Sequence, residues 1–164
     1  MLPSAIIMIA YWRQLRREFS DKLAESSSLF RLIEILGIGA SVSLIVYTLT
    51  LGAIGELFVL PRRIGVVGYF GFTAFAHLLL LAKLKVITKS RSELYVPYQS
   101  LFCICALLLV LGVTSAFLGF FWQSYHFWDN GFEWWFALLM MCQFLGVARI
   151  AQIMNAKGTK NIQI

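Results

Sequence analysis

Four apolar runs, each long enough to cross a bilayer, constrain this chain more than any other feature. They lie at roughly Leu29–Ile54, Ile64–Ala82, Tyr98–Trp122 and Phe132–Met154. A hydrocarbon core about 30 Å thick takes about 20 helical residues at ~1.5 Å each. None of the runs alternates apolar with polar residues, so none reads as a barrel strand. In lipid the backbone must satisfy its own hydrogen bonds, and unalternating runs do so as helices. The 164 residues are 60% hydrophobic and 13% charged, with a mean hydropathy of +0.78. A water-soluble core of this size could not cover that much apolar surface. The expected fold class is therefore an all-α integral membrane protein. It is read as one membrane domain over residues 1–164, a helical bundle of four full transmembrane helices plus a partial N-terminal helix. That partial helix, Met1–Trp12, is apolar but too short to cross alone.

The basic residues fix an orientation. Arg13, Arg16, Arg17, Lys22 and Arg31 precede or open the first full span. Lys83, Lys85, Lys89 and Arg91 lie between the second and third, and Arg149, Lys157 and Lys160 close the last. Only Arg62 and Arg63 fall in the alternate segments. With four spans, twelve of the fourteen basic side chains share one side, which the positive-inside rule assigns to the cytoplasm. The C-terminus is expected there too. The net charge of +6 thus reads as membrane flanks, with membrane lipids and other membrane proteins as partners and no role for nucleic acid. The sequence sets no oligomeric state.

Within the spans, small residues recur where helices could touch. Gly65, Gly68, Gly71 and Ala74 repeat every three residues in the second span, and Gly112 and Ala116 form a small-xxx-small pair in the third. Association in lipid depends on close packing, so these positions are expected at helix contacts. His77 is the one ionisable group deep in a span; it is expected to hydrogen-bond a neighbouring backbone or hydroxyl group and join helices. Cys103, Cys105 and Cys142 all sit in apolar runs without CxxC spacing and are expected as small buried core residues. Three local pairings are expected near the first span: Glu18 with Lys22, Arg31 with Glu34, and a cap from Ser26–Ser28.

The stretch Tyr125–Leu139, YHFWDNGFEWWFALL, carries the most specific signal. Its Trp and Tyr residues mark a headgroup level, and no Lys or Arg occurs between Gln123 and Glu133, which marks the non-cytoplasmic side. The pattern Tyr125-His126, six residues, Glu133-Trp134, two residues, Ala137 resembles the entrance to the final helix of the damage-regulated autophagy modulator (DRAM) family. That family is related to the transmembrane-150 proteins and, more remotely, to factors that remodel GPI-anchor lipids. Ile54–Gly55–Glu56 and Leu60–Pro61 add smaller points of likeness, while Arg63 stands near a position where the family commonly has His. The resemblance covers nearly the whole chain. It implies helices corresponding to the inner half of the family's second through its sixth, with the first helix and first luminal loop absent, as in an incomplete member. It further implies a membrane-resident regulator of autophagy in lysosomal or endosomal membranes, with the plasma membrane, Golgi or endoplasmic reticulum as alternatives.

His126, Asp129 and Glu133, spaced His-x2-Asp-x3-Glu, raise the question of a catalytic or metal trio. Catalysis would need an acid–base pair reaching a lipid headgroup, and a metal three or four converging ligands. The simpler reading places Asp129–Asn130–Gly131 in a turn and Glu133 in the first turn of the last helix, where the helix dipole favours negative charge. No GxSxG, HExxH or P-loop is present. The expectation is a non-enzymatic regulator without catalytic residues, cofactor or metal. The alternative is a lipid-remodelling membrane component.

Overall fold

A computed structural model describes residues 2–23, 27–53, 55–88, 92–121 and 126–158. The described residues form five α-helices and two single 3-10 turns, and no strand occurs among them. The helices are α1 (Leu2–Leu23), α2 (Ser27–Thr50), α3 (Val59–Thr88), α4 (Tyr95–Phe121) and α5 (His126–Gly158). The 3-10 turns Glu56–Phe58 and Ser92–Leu94 lead into α3 and α4. Four stretches are long and apolar enough to cross a membrane: Ser28–Thr50, Glu56–Val86, Ser92–Ser115 and Trp134–Ala156. Leu145 is 70% exposed and Val110 61% exposed. Side chains of that kind in that number suit lipid rather than water. The chain is an all-α membrane protein.

Helix ends differ from the sequence expectation in several places, each for a local reason. The helix at the start does not stop at Trp12 but continues to Leu23, because Trp12, Leu15 and Phe19 extend one buried stripe beyond the apolar segment. The first full span ends at Thr50 rather than Ile54. Thr50 Oγ1 donates to the Val46 and Tyr47 carbonyls at 2.9 and 3.1 Å, and Ala53 N–H donates to Thr50 O at 3.3 Å, closing the helix in a turn. Ile54 lies outside the described residues. The chain resumes at Gly55, whose φ of 134° suits glycine, and α3 begins at Val59 rather than Ile64. Pro61 is tolerated there because the first four N–H groups of a helix have no intrahelical partner. Pro97 sits equivalently near the start of α4, which opens at Tyr95 instead of Tyr98. α3 likewise runs past Ala82 to Thr88, so Lys83 and Lys85 extend a helix rather than opening a loop.

The last helix departs furthest. It begins at His126, not Phe132, so Asp129–Asn130–Gly131 is helical rather than a turn, and Glu133 lies two turns in rather than in the first. An Asp in the first turn is favoured by the helix dipole, and one interior glycine costs only about 1 kcal/mol. Helix continuation therefore outweighs the turn chemistry of those three residues.

The contacts group into two units, Met1–Leu80 and Leu81–Ile164. In the first, α1 and α2 run antiparallel. Phe19 stacks on Phe30 with ring centroids 6.4 Å apart, Arg16 pairs with Glu34, and Trp12 lies over Gly37. α3 packs antiparallel to α2 through its glycines. A Cβ at Gly65 would come within 2.7 Å of the Tyr47 backbone nitrogen, and one at Gly68 within 2.6 Å of Ser43 Oγ. In the second unit, α4 and α5 run antiparallel, with Leu101 against Gly146, Cys105 against Gln143, and Gly112 against Phe136.

Candidate functional site

Two sites in the first unit arise from the way α1 seats on α2. The deeper one is a buried polar knot. Trp12 is fully buried and fits against α2 only because Gly37 has no side chain; a Cβ there would overlap Cγ, Cδ2 and Cε2 of the indole. Beside it Ser41, also buried, donates from Oγ to the Gly37 carbonyl at 2.9 Å, within its own helix. From α3, the fully buried His77 ring lies against the indole at a centroid distance of 5.2 Å and an interplanar angle of 57°. His77 Nδ1 lies 2.9 Å from the Thr73 carbonyl oxygen, one turn earlier in the same helix. That distance fits the tautomer with the proton on Nδ1. Thr73 Oγ1 in turn donates to Tyr69 O at 2.7 Å. Ser41 Oγ, Thr73 Oγ1 and His77 Nδ1 are thus engaged along their own helices, and the His77–Trp12 contact between helices is one of rings.

The second site lies where α1 leaves its apolar segment. Arg13, Arg16, Arg17 and Ser20 recur at i, i+3, i+4 and i+7 and occupy one face of α1. With Glu34 of α2 they line a cleft of about 400 Å³. Arg16 Nη1 donates to Glu34 Oε2 at 2.6 Å across the two helices. Glu34 therefore pairs with Arg16, not with Arg31: the antiparallel seating brings an arginine of the neighbouring helix closer than the one a turn away. Glu18 accepts from Gln14 Nε2 at 3.0 Å, and the Lys22 side chain is outside the described residues. Ser26 is also outside them, and α2 begins at Ser27.

The residues singled out from the sequence are dispersed. Gly65 and Gly68 face α2, whereas nothing lies within 4 Å of a Cβ built at Gly71, which carries no contact of this kind. Gly112 faces Phe136 at 3.6 Å; the Ala116 side chain is outside the described residues. Tyr125 lies outside them altogether, and positions 126, 129 and 133 are described in backbone alone, at i, i+3 and i+7 of α5. Trp134 is 78% exposed and Ala137 is exposed, consistent with an aromatic belt position for the tryptophan. Cys105 is buried, Cys142 is half-buried and Cys103 is exposed, so Cys103 is not a core residue. On α4 it falls on the opposite side from the face that Leu101, Cys105 and Leu108 bury. Among the described residues no three His, Cys, Asp or Glu side chains converge as a metal site.

Two features escaped sequence reading. The Trp12–Gly37 seat needed the register of two helices, although Ala5, Trp12 and Phe19 are spaced by sevens and mark one α1 stripe. Gln143, buried on α5, donates from Nε2 to Cys105 Sγ at 2.9 Å, and its Oε1 meets no hydrogen-bond partner among the described residues. An intramembrane glutamine was the available signal for that contact. No protein-family model, curated protein or solved structure matches the chain.

Proposed function

We propose that this chain is a multi-pass membrane regulator that works through contacts with lipids and neighbouring membrane proteins rather than by covalent chemistry. The resemblance of Tyr125, His126, Glu133, Trp134 and Ala137 to the DRAM pattern gives the proposal its content: modulation of autophagy from lysosomal or endosomal membranes. What supports it physically is the environment of His77. An intramembrane ionisable side chain is by default a functional candidate. Here its Nδ1 is held by the Thr73 carbonyl and its ring rests on the Trp12 indole, so the group serves helix packing. The polar side chains open to an outside partner then lie at the membrane surface, on the basic flanks. Twelve basic residues on one side set that surface, and the C-terminus, toward the cytoplasm.

The alternative, a lipid-remodelling component, draws on one observation: positions 126, 129 and 133 share a face of α5. Deleting the chain from cells and restoring it with His126→Ala or Glu133→Gln separates the two. The regulator reading expects autophagic flux to fall on deletion while membrane-lipid composition holds, and both variants to restore flux in proportion to their abundance. A changed lipid composition that neither variant corrects at normal abundance would favour remodelling and overturn the proposal.

A further inference from the structure

We propose that the cleft lined by Arg13, Arg16, Arg17, Ser20 and Glu34 binds a phosphomonoester-bearing anion at the basic surface of the membrane. Four observations carry this. The cleft is concave and holds about 400 Å³, within the roughly 300–1,000 Å³ range of small-molecule sites. It lies toward the basic end of the membrane segment, because α1 turns from apolar to arginine-rich at residue 13 and Arg16 meets Glu34 in the second turn of the α2 span. Its charge is unbalanced. Glu34 is engaged by Arg16, whereas Arg13 and Arg17 meet no carboxylate among the described residues. These two lie four apart on one helix, an arrangement of like charges that destabilises a helix unless an anion sits between them. Finally, the donors suit phosphate: guanidinium groups bind its oxygens in bidentate fashion, and the Ser20 hydroxyl adds a further donor. Counting three arginines against one glutamate leaves two positive charges. A phosphomonoester carries about −1.5 to −2 at neutral pH and matches that charge better than a single-charge diester.

The plain alternative is a positive membrane flank that attracts any anionic lipid. It predicts no difference between this cleft and the basic stretch at Lys83–Lys85, and none between mono- and diesters. The full chain is reconstituted in phosphatidylcholine nanodiscs containing either phosphatidylserine or a phosphatidylinositol monophosphate, and bound lipid is counted by native mass spectrometry. Soluble inositol 1,4-bisphosphate is titrated in a separate arm. The expected result is preferential retention of the monophosphate lipid, weakened at least about tenfold by Arg13→Gln/Arg17→Gln and unchanged by Lys83→Gln/Lys85→Gln. Competition by the soluble bisphosphate at equal concentration would identify a free phosphate as the occupant, and its failure to compete a lipid headgroup; either keeps the phosphomonoester site. Both arginines are exposed, so the double variant should keep the thermal stability of the parent, which the same samples report. Equal retention of phosphatidylserine, or equal loss in the two double variants, overturns the proposal.

Discussion

Gly37→Ala is the sharpest test of how α1 seats on α2. In most helix interiors, replacing glycine by alanine stabilises by about 1 kcal/mol, because glycine loses more backbone freedom on ordering. Here the added methyl would overlap Cγ, Cδ2 and Cε2 of the Trp12 indole. Those atoms sit near the root of a rigid ring, so a small side-chain rotation cannot clear them. The ring is fully buried and also in contact with His77. Overpacking of this kind costs about 1–3 kcal/mol. The net expectation is therefore a loss, opposite in sign to the usual glycine effect. Trp12→Ala removes the obstacle, so Gly37→Ala made in that background should stabilise by about 1 kcal/mol. The coupling between the two positions is then the overpacking cost itself, about 1–3 kcal/mol, as for residues in direct contact. Reversible unfolding of the detergent-solubilised chain by increasing sodium dodecyl sulfate, followed by tryptophan fluorescence or circular dichroism, measures each corner of the cycle. Circular dichroism serves all four, since two of them lack Trp12. A Gly37→Ala protein as stable as the parent, or a coupling near zero, would refute the proposed seat.

Gly65→Leu should disrupt the approach of α3 to α2, where a Cβ already meets the Tyr47 backbone at 2.7 Å, and should lower the yield of folded protein, whereas Gly71→Leu should be tolerated; size-exclusion profiles in detergent compare the two. His77→Phe keeps a ring against Trp12 and should retain most of the stability that His77→Ala loses, a difference on the order of 1–3 kcal/mol in the same unfolding assay; equal losses would mean that packing is not what His77 contributes. Gln143→Leu removes a buried amide whose Oε1 has no partner among the described residues. An intramembrane hydrogen bond averages only about 0.6 kcal/mol, so the change should cost under about 1 kcal/mol or stabilise; a larger loss would reveal a second role for the amide.

How much of this was legible beforehand follows from which physics sets each feature. The four spans were, because bilayer thickness imposes a length that hydropathy records directly. Helix ends were not: Asp129, Asn130 and Gly131 read as a turn in isolation, yet lie inside a helix whose continuity outweighs them. The glycine stripe was legible as a class but not position by position. Gly65 and Gly68 meet α2 while Gly71 meets nothing, since a repeat of three drifts around a helix of 3.6 residues per turn. Arg31 and Glu34 are correctly spaced to pair, but the antiparallel neighbour supplied Arg16 instead. The arginine cleft needed the same information. Its spacing along α1 is visible in the chain, while the wall supplied by α2 is not.

The central claim, that the chain crosses a membrane four times with its basic segments on one side, meets its most direct test in cysteine accessibility. Single cysteines replacing Ser20, Ala53, Ser90 and Asn130 in a cysteine-free background would be exposed to a membrane-impermeant maleimide in sealed, right-side-out vesicles. Labelling at positions 53 and 130 from outside, with 20 and 90 reacting only after permeabilisation, is the predicted result. Positions 90 and 130 labelling from the same side would contradict it.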